Sequence, residues 1–302
     1  SYFMMKSFTP EGQLEYQFMD IVNSVLPFYM LRALGGLLYL SGLILMIYNI
    51  YKTTQQGKFI ASEDAEAAPL AKVYHAPKNA LWHSVIERKP IILLVLSLLV
   101  VSIGGIIELI PTYLVKSNIP TIASVKPYTP LELQGRDIYI REGCYNCHSQ
   151  QIRPFRYEVA RYGEYSKAGE FVYDHPFQWG SKRTGPDLAR IGGKYPDSWH
   201  FYHMLDPSSM AEGSIMPHYP FLFEDDLDIS STRSKIHAMR QMGVPYPHNY
   251  EEMANDDLKK QATEIVKSLT SAYIDTEPSK EIISLIAYLQ RLGIDIKAQD
   301  QN

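Results

Sequence analysis

The chain has 302 residues and a formal net charge of −4, a modest value that indicates no nucleic acid or other polyanion as a partner. A chain of this length forms one or two domains. Hydrophobic residues make up 46% of it and are concentrated in two early runs, so the average conceals an uneven chain.

Residues 1–29 are mixed and partly apolar. No positively charged segment precedes a short apolar core here, so no cleavable signal peptide is evident. Ser1 is not an initiator methionine, and we therefore expect further residues before it in the gene product.

The first apolar run, residues 31–51, is uncharged from 33 to 47. At ~1.5 Å per residue it is ~31 Å long, enough to cross a bilayer core of ~30 Å. A buried helix of a soluble protein is the alternative, but the length and the lack of a polar face disfavour it. Gly35, Gly36 and Gly42 allow close approach of another helix, so we expect this span to pack in a bundle.

A polar connector follows at residues 54–89, with an alanine-rich linker stretch around 65–69. The connector is rich in lysine, and positively charged loops stay on the cytoplasmic side of a membrane. Residues 1–30 and the chain beyond the second span should then lie on the opposite, periplasmic face.

The second span is predicted at residues 90–115. Pro90 suits a first helical turn, Pro111 can end a helix, and no charge interrupts residues 91–107. Glu108 falls near the end of this span. An ionisable group at membrane depth is a functional hypothesis by default, whereas the alternative places Glu108 in the headgroup region.

Residues 116–302 are predicted to form an all-α domain outside the membrane. A helix at 131–140 leads into a cysteine motif, and the run 280–293 has one apolar face and ends at a glycine. We expect these two helices to cross with their backbones close together. The expected contact joins Gly135 and Tyr139 of the first helix to Leu285, Tyr288 and Leu289 of the last.

The motif contains the two cysteines of the chain, Cys144 and Cys147, followed directly by His148. This order is the attachment signature of a c-type haem. Two thiols at this spacing add to the two vinyl groups of one haem, and the adjacent imidazole binds the iron. The sequence therefore predicts one covalent haem with His148 as an axial ligand.

Two other readings of the cysteine pair remain open at this point. A redox disulfide is disfavoured by the adjacent histidine and by the lack of a thioredoxin-like βαβ setting. A structural zinc site needs four ligands, and the chain has no second cysteine pair. One of the nine histidines could complete such a site, but no H-x-x-x-H pair is present.

Met216 is the predicted sixth iron ligand, because a proline follows it and stiffens the loop that presents it. A thioether ligand favours reduced iron and raises the reduction potential. The rival ligands are Met204, Met210, His203 and His218. Five side chains are candidates for the haem propionates, although solvation is the commoner fate of exposed arginines: Arg153, Arg156, Arg190, Trp199 and Tyr219.

The segment from Cys144 to Pro154 closely resembles the mono-haem subunit, called CcoO or FixO, of cbb3-type cytochrome c oxidases. The resemblance covers residues 85–295, and Pro186 joins the haem-binding residues through it. The further matching motifs are Gly185-Pro186-Asp187-Leu188-Ala189-Arg190, Ser214-Ile215-Met216-Pro217, Gly243-Val244-Pro245-Tyr246 and Ala287-Tyr288-Leu289-Gln290.

Residues 28–53 resemble the last membrane helix of the catalytic subunit of the same oxidases, called CcoN. The match rests on residues 32–42 and on Tyr48-Asn49. The usual mono-haem subunit has one span, whereas this chain has two. We therefore expect a fusion in which residues 1–53 are the terminal piece of the catalytic subunit.

The resemblance implies electron transfer from a cytochrome c donor through this haem to the b-type haems of the catalytic subunit. Oxygen is then reduced to water with proton translocation, at a centre outside this chain. The implied partners are a CcoN-like subunit, a dihaem CcoP-like subunit or soluble cytochrome c, and membrane lipid. A calcium ion near the propionates, at a subunit interface, is also implied. The implied location is a bacterial inner membrane.

The alternative function is that of the membrane-anchored cytochrome c subunit of a nitric oxide reductase. The Ser149-Gln150-Gln151 continuation of the motif favours the oxidase. A free-standing anchored electron carrier is a third reading, which the glycine-rich first span disfavours. A non-redox zinc or adhesion domain is the fourth.

Overall fold

The computed structural model describes residues 2–56, 82–114, 121–174, 176–180 and 182–299. Within these ranges the chain is helical and contains no β-strand, which confirms the all-α class. The helices of the described residues are α1 (Tyr2–Lys6), α2 (Phe18–Gln56), α3 (Trp82–Glu87), α4 (Pro90–Leu114), α5 (Pro130–Arg141), α6 (Arg156–Tyr162), α7 (Asp197–Leu205), α8 (Pro207–Met210), α9 (Phe221–Glu224), α10 (Thr232–Gln241), α11 (Tyr250–Ser271), α12 (Glu281–Arg291) and α13 (Ile294–Gln299).

The chain divides into two compact units. Residues Ser1–Tyr29 join Pro120–Asn302 in one unit, and Met30–Ile119 form the other. The early residues therefore cluster with the domain that carries the cysteine motif. That grouping is not apparent from the sequence, in which a long apolar run separates the two pieces.

Two of the described helices, α2 and α4, are long and apolar enough to cross a membrane. Helix α4 agrees with the second predicted span. Helix α2 contains the first predicted span but begins earlier, at Phe18. The carboxylate of Asp20 accepts a hydrogen bond from the backbone N–H of Gln17 at 2.9 Å, which stabilises the helix start, and Pro27 is accommodated inside the helix.

The three glycines of the first span have open space around them in this chain. A Cβ atom built on Gly35, Gly36 or Gly42 would meet no atom within 4 Å. Packing of this face in a bundle thus stays a prediction. Most of the predicted connector, including the alanine-rich stretch, lies at 57–81, outside the described residues.

Helix α5 begins at a capping box. The Thr129 hydroxyl accepts from the backbone N–H of Glu132, and the Glu132 carboxylate accepts from the backbone N–H of Thr129. Pro130 stands at the first helical position, where its missing N–H costs nothing. These residues fix the start of α5. Because the cysteine motif follows the other end of the helix, they also help to fix its position.

The core of the larger unit is the crossing of α5 with α12, as predicted. A Cβ atom on Gly135 would lie 1.9 Å from the backbone oxygen of Ser284, so only glycine permits this approach. The rings of Tyr139 and Tyr288 meet with centroids 5.4 Å apart. Gly293 closes α12 with a φ of 78°, a left-handed conformation that favours glycine.

Helices α10 and α11 cover α5 from another side. Helix α11 buries one stripe of small and branched side chains at helical spacing, and the rest of its surface is polar. The buried residues of the stripe are Ala254, Leu258, Ala262 and Leu269. The core formed by α5, α11 and α12 therefore holds the end of α5, and the motif after it, in a fixed place.

Candidate functional site

The cysteine motif forms a single tight turn at the end of α5. Gly143 leaves the helix with a φ of 68°, in the left-handed region. The backbone oxygen of Cys144 then accepts hydrogen bonds from the N–H groups of Cys147, at 3.2 Å, and His148, at 2.9 Å. The two thiols and the imidazole are thus held on one turn, as attachment of one planar macrocycle requires.

The His148 ring lies directly against Gly185. A Cβ atom on Gly185 would be 2.3 Å from Cε1 of the ring and 2.7 Å from each ring nitrogen. The Nδ1 atom lies 2.8 Å from the backbone oxygen of Pro186, which can only accept, so Nδ1 carries the proton. The Nε2 atom therefore keeps its lone pair for a metal.

Burial lowers the pKa of His148, and its bond to Pro186 opposes that shift. A neutral imidazole with an oriented Nδ1–H is the form that coordinates iron. The donor set therefore fits a haem iron, with the Pro186 oxygen accepting the hydrogen bond from the far side of the ligand ring.

The residues after the motif are pinned from several directions. The backbone oxygen of Cys147 accepts from Gly185 at 2.9 Å, and that of Ser149 accepts from Leu188 at 2.8 Å. The buried Gln150 amide donates to the Tyr288 hydroxyl of α12 at 2.9 Å. The motif is thus coupled to both the Gly185 loop and the helix crossing.

The two thiols differ in their surroundings. Cys144 is half-buried against the apolar core, and burial raises the pKa of its thiol to about 12. Cys147 is exposed. An apolar wall beside Cys144 suits the edge of a hydrophobic macrocycle. Across the part of the chain that the structure describes, no three metal-ligating side chains come together.

A buried ion network braces the loop that carries Gly185. The Arg183 guanidinium donates to the Gln151 backbone oxygen at 2.5 Å, to Glu158 at 2.8 Å and to Asp187 at 3.1 Å. Burial raises the pKa of Glu158, but the hydrogen bonds from Arg183 and from the Arg153 backbone outweigh it and hold that pKa below its usual range. Removing one partner would leave a buried charge without its counter-charge.

Met216 lies partly buried against the same core as Cys144. Its backbone N–H donates to the Ser214 hydroxyl at 3.3 Å. Among the rivals, Met204 is a core residue that is 8% exposed, whereas Met210 is 37% exposed. The Nδ1 atom of His218 is engaged with the Leu205 backbone oxygen at 3.0 Å. Met216 remains the predicted sixth ligand.

Trp199 of α7 stands in a stack of rings. Its centroid is 4.1 Å from Tyr195 and 4.5 Å from His203, with nearly parallel planes. Burial and, to a smaller extent, the neighbouring His148 lower the pKa of His203 to about 4. The stack therefore belongs to the same region of the domain as His148.

The arginines named for the propionates have other partners in the structure. Arg153 donates to Glu158 at 2.6 Å, and Arg190 makes a two-pronged contact with Glu170 at 2.6 and 2.8 Å. Arg156 lies over the Phe8 ring. Burial raises the pKa of Tyr219 to about 12, and Cys144 and Cys147 contribute to this shift.

The sequence pattern does not indicate that five further residues contribute to the site: Gly185, Ser149, Gln150, Glu158 and Arg183. Their effect is positional: they hold the imidazole, the turn and the loop in place. A glycine before a proline looks like an ordinary turn, so only the fold shows that Gly185 makes room for a ring.

We expect His200 to make the domain less stable in acid. It is buried, its Nε2 has no hydrogen-bond partner, and burial lowers its pKa to about 4. Its unfolded value is near 6.5, so only the unfolded chain takes up this proton as the pH falls from 6.5 towards 4. The free energy of unfolding should thus drop by roughly 2 kcal/mol between pH 7.5 and 5 because of this residue.

The measurement is the denaturation midpoint of the solubilised chain at both pH values. His200→Phe should shrink the drop, whereas His237→Gln, a change at a half-exposed histidine, should leave it intact. An unchanged pH dependence in His200→Phe would show that His200 does not take part.

Comparison with known proteins gives one family match. The family described as "Cytochrome C oxidase, mono-heme subunit/FixO" matches residues 83–296. This range contains α4 and every helix from α5 to α12, including the cysteine motif and the Met216 loop.

Part of the chain is also similar to a second kind of protein. It is 42% identical over 55 residues to "Cytochrome c oxidase subunit 1 homolog, bacteroid" of Bradyrhizobium diazoefficiens, covering 18% of this chain and 10% of the relative. It is 33% identical over 64 residues, 21% of this chain and 12% of the relative, to a "Cytochrome c oxidase subunit 1 homolog" of Azorhizobium caulinodans. The chain spans about a tenth of the length of these relatives.

Proposed function

The chain belongs to the FixO family of mono-haem cytochrome c oxidase subunits, and from this premise we propose that it is the electron-entry subunit of a cbb3-type oxidase. It takes electrons from a cytochrome c donor through one c-type haem and passes them to the b-type haems of a catalytic subunit. That subunit reduces oxygen to water and translocates protons. No oxygen-reducing centre is assigned to this chain.

The observation that carries the proposal is the setting of His148. Its Nδ1–H donates to Pro186, its ring has room only because residue 185 is glycine, and its Nε2 keeps a free lone pair. Cys144 and Cys147 lie on the same turn and would form the thioether bonds. A bound haem supplies a one-electron couple, and these residues hold and orient it.

Met216 is proposed as the second axial ligand. The Gly213–Pro217 loop presents it from the side of the core, and a thioether raises the potential into the range that suits acceptance from a cytochrome c. Trp199 and Tyr219 are proposed to line the haem, and Arg153 to lie near its propionates. The proposed haem ligands of this chain are thus His148 and Met216.

The proposed arrangement places the haem domain, 116–302, on the periplasmic side of a bacterial inner membrane. Helix α4 anchors it, and the lysine-rich connector 54–89 lies in the cytoplasm. The proposed partners are a haem-copper catalytic subunit and a dihaem or soluble cytochrome c. A calcium ion at the subunit interface is part of the same proposal.

Residues 1–53 are proposed to be the terminal piece of the catalytic subunit, fused to the mono-haem subunit. Two observations support this. The chain carries an apolar helix, α2, in addition to the anchor helix α4. It is also similar to subunit 1 homologues over 55 and 64 residues. The glycines of α2 are then proposed to face the catalytic helix bundle.

Purification of the native complex tests the proposed function. A tag on the C-terminus should bring down a haem-copper catalytic subunit, fused or separate, with one covalent haem on this chain. Met216→His should keep the haem six-coordinate but lower its potential, because imidazole stabilises ferric iron better than a thioether does. The exposed Met253 provides a matched control, Met253→His. An unchanged potential in Met216→His, or purification without any haem-copper subunit, would contradict the proposal.

A further inference from the structure

The residues before the first span form a folded arm on the haem domain. We define the N-terminal arm as residues 2–23, comprising α1, a turn and the start of α2. The turn is closed by an antiparallel bridge between Phe8 and Leu14 and by a hydrogen bond from the Thr9 N–H to the Gln13 oxygen at 2.8 Å. The arm therefore has a defined structure of its own before α2 begins.

One end of the arm binds helix α6, which follows the cysteine motif. The Arg156 guanidinium lies 4.3 Å from the centroid of the Phe8 ring, a distance at which cation–π attraction is strong. A Cβ atom on Gly12 would be 3.4 Å from the same guanidinium. Arg161 donates to the backbone oxygen of Tyr16 at 3.1 Å. Two arginines of α6 thus hold the arm.

The other end of the arm packs against the loop that carries Met216. Helix α2 is mostly exposed, but residues 21–22 are buried. Beside them, a Cβ atom on Gly213 would lie 3.6 Å from Oδ1 of Asn23 and 3.8 Å from Cε of Met19. Gly213 stands three positions before Met216 in the chain. The first turns of α2 therefore pack against this loop.

The Gly213 side of the loop needs packing of this kind, because its hydrogen bonds are local and the nearest long-range backbone one, from the Tyr219 N–H to the Met204 oxygen at 3.1 Å, lies beyond Met216. The Ser214 N–H donates to the Ala211 oxygen at 3.0 Å, and the Met216 N–H donates to the Ser214 hydroxyl at 3.3 Å. Bonds between near neighbours shape a loop but do not fix its distance from the rest of a domain. That distance depends on packing against other elements.

We infer that the N-terminal arm is a positioning element for the sixth iron ligand. It contacts α6, which follows the cysteine motif, and the loop that carries Met216. The arm would thus hold this loop in place, so that Met216 could bind the iron of an attached haem. This inference rests on the proposed function in so far as it takes Met216 as the ligand.

The test uses the full-length chain with its haem attached, in detergent. Imidazole binds ferric haem c only when the methionine leaves the iron, so its binding rate reports on loop opening. In the variant Met19→Ala, Asn23→Ala we expect this rate to rise about tenfold, which corresponds to ~1.4 kcal/mol. Hydrogen exchange at the Ser214 amide should accelerate as well, and the amount of covalent haem should stay the same.

Two further variants complete the design. The same pair of substitutions in the second half of α2, Met46→Ala, Asn49→Ala, is the matched control and should behave as wild type. Arg156→Ala removes one of the two contacts that α6 makes with the arm and should also raise both rates. If this variant and Met19→Ala, Asn23→Ala both keep wild-type imidazole binding and exchange, the arm has no positioning role.

The ligand assignment is tested separately with Met216→Leu, which should remove the slow methionine-controlled step. If Met216→Leu binds imidazole at the wild-type rate, Met216 is not the ligand and that part of the proposed function fails. Exchange at Ser214 then still decides whether the arm holds the loop, because this measurement does not depend on the haem iron.

Discussion

The variant Cys144→Ala, Cys147→Ala should lose all covalent haem, so that its band no longer stains for haem after denaturing electrophoresis. The reason is stoichiometric: the chain has two cysteines, and no other side chain in it can form the thioether bonds. Each single variant keeps one thiol on the turn and should retain part of the stain. If the proposed function holds, oxygen consumption that depends on a cytochrome c donor should fall to background in the double variant.

Met216→Leu is the matched control for this experiment. It changes a predicted axial ligand but leaves both thiols in place, so its band should stain as strongly as that of the wild type. A stain that survives in the double cysteine variant would overturn the haem assignment. The two variants are compared at equal protein load, so that a lost stain reports on haem attachment and not on a smaller amount of protein.

The cysteine motif could be predicted from the sequence because its chemistry is local. Cys144, Cys147 and His148 fall within one turn, and the hydrogen bonds of that turn join residues three and four positions apart. The crossing of α5 with α12 could also be predicted, since helical periodicity reveals the buried faces and a glycine on one of them indicates close approach.

The parts that could not be predicted depend on contacts between residues distant in the chain. Gly185 accommodates the His148 ring, yet in the sequence it is a glycine before a proline, a common turn signal. The packing of the N-terminal arm is of the same kind. Nothing in the periodicity of residues 2–23 indicates that Arg156 and Arg161, far along the chain, would hold them.

The early start of α2 has a different cause. Polar residues and Pro27 interrupt the apolar pattern before residue 31, so a transmembrane reading begins only there. In the structure the helix continues through that stretch, because Asp20 caps its start and residues 21–22 are buried in the larger unit. Tertiary packing thus extends the helix beyond the segment that hydropathy alone identifies.

Gly135→Ala should destabilise the haem domain strongly. The new Cβ atom would lie 1.9 Å from the Ser284 backbone oxygen and 2.8 Å from Cβ of Tyr288. Neither atom belongs to the end of a flexible side chain, so α12 itself has to move. Overpacking of this kind costs ~3 kcal/mol or more, whereas the better helix propensity of alanine returns only ~1 kcal/mol. The net loss of ~2 kcal/mol lowers Tm by roughly 5 °C or more.

The melting of the domain can be followed by the circular dichroism of its haem band, which reports on the surroundings of the haem and not on the membrane helices. Displacement of α12 would also strain the hydrogen bond from Gln150 to Tyr288, so the haem band should change even below the melting point. Gly36→Ala is the control, because it makes the same substitution in a helix where the Cβ meets no atom within 4 Å. A Gly135→Ala chain that melts at or above the wild-type temperature would show that the two helices separate at little cost, and that the crossing does not fix the position of the motif.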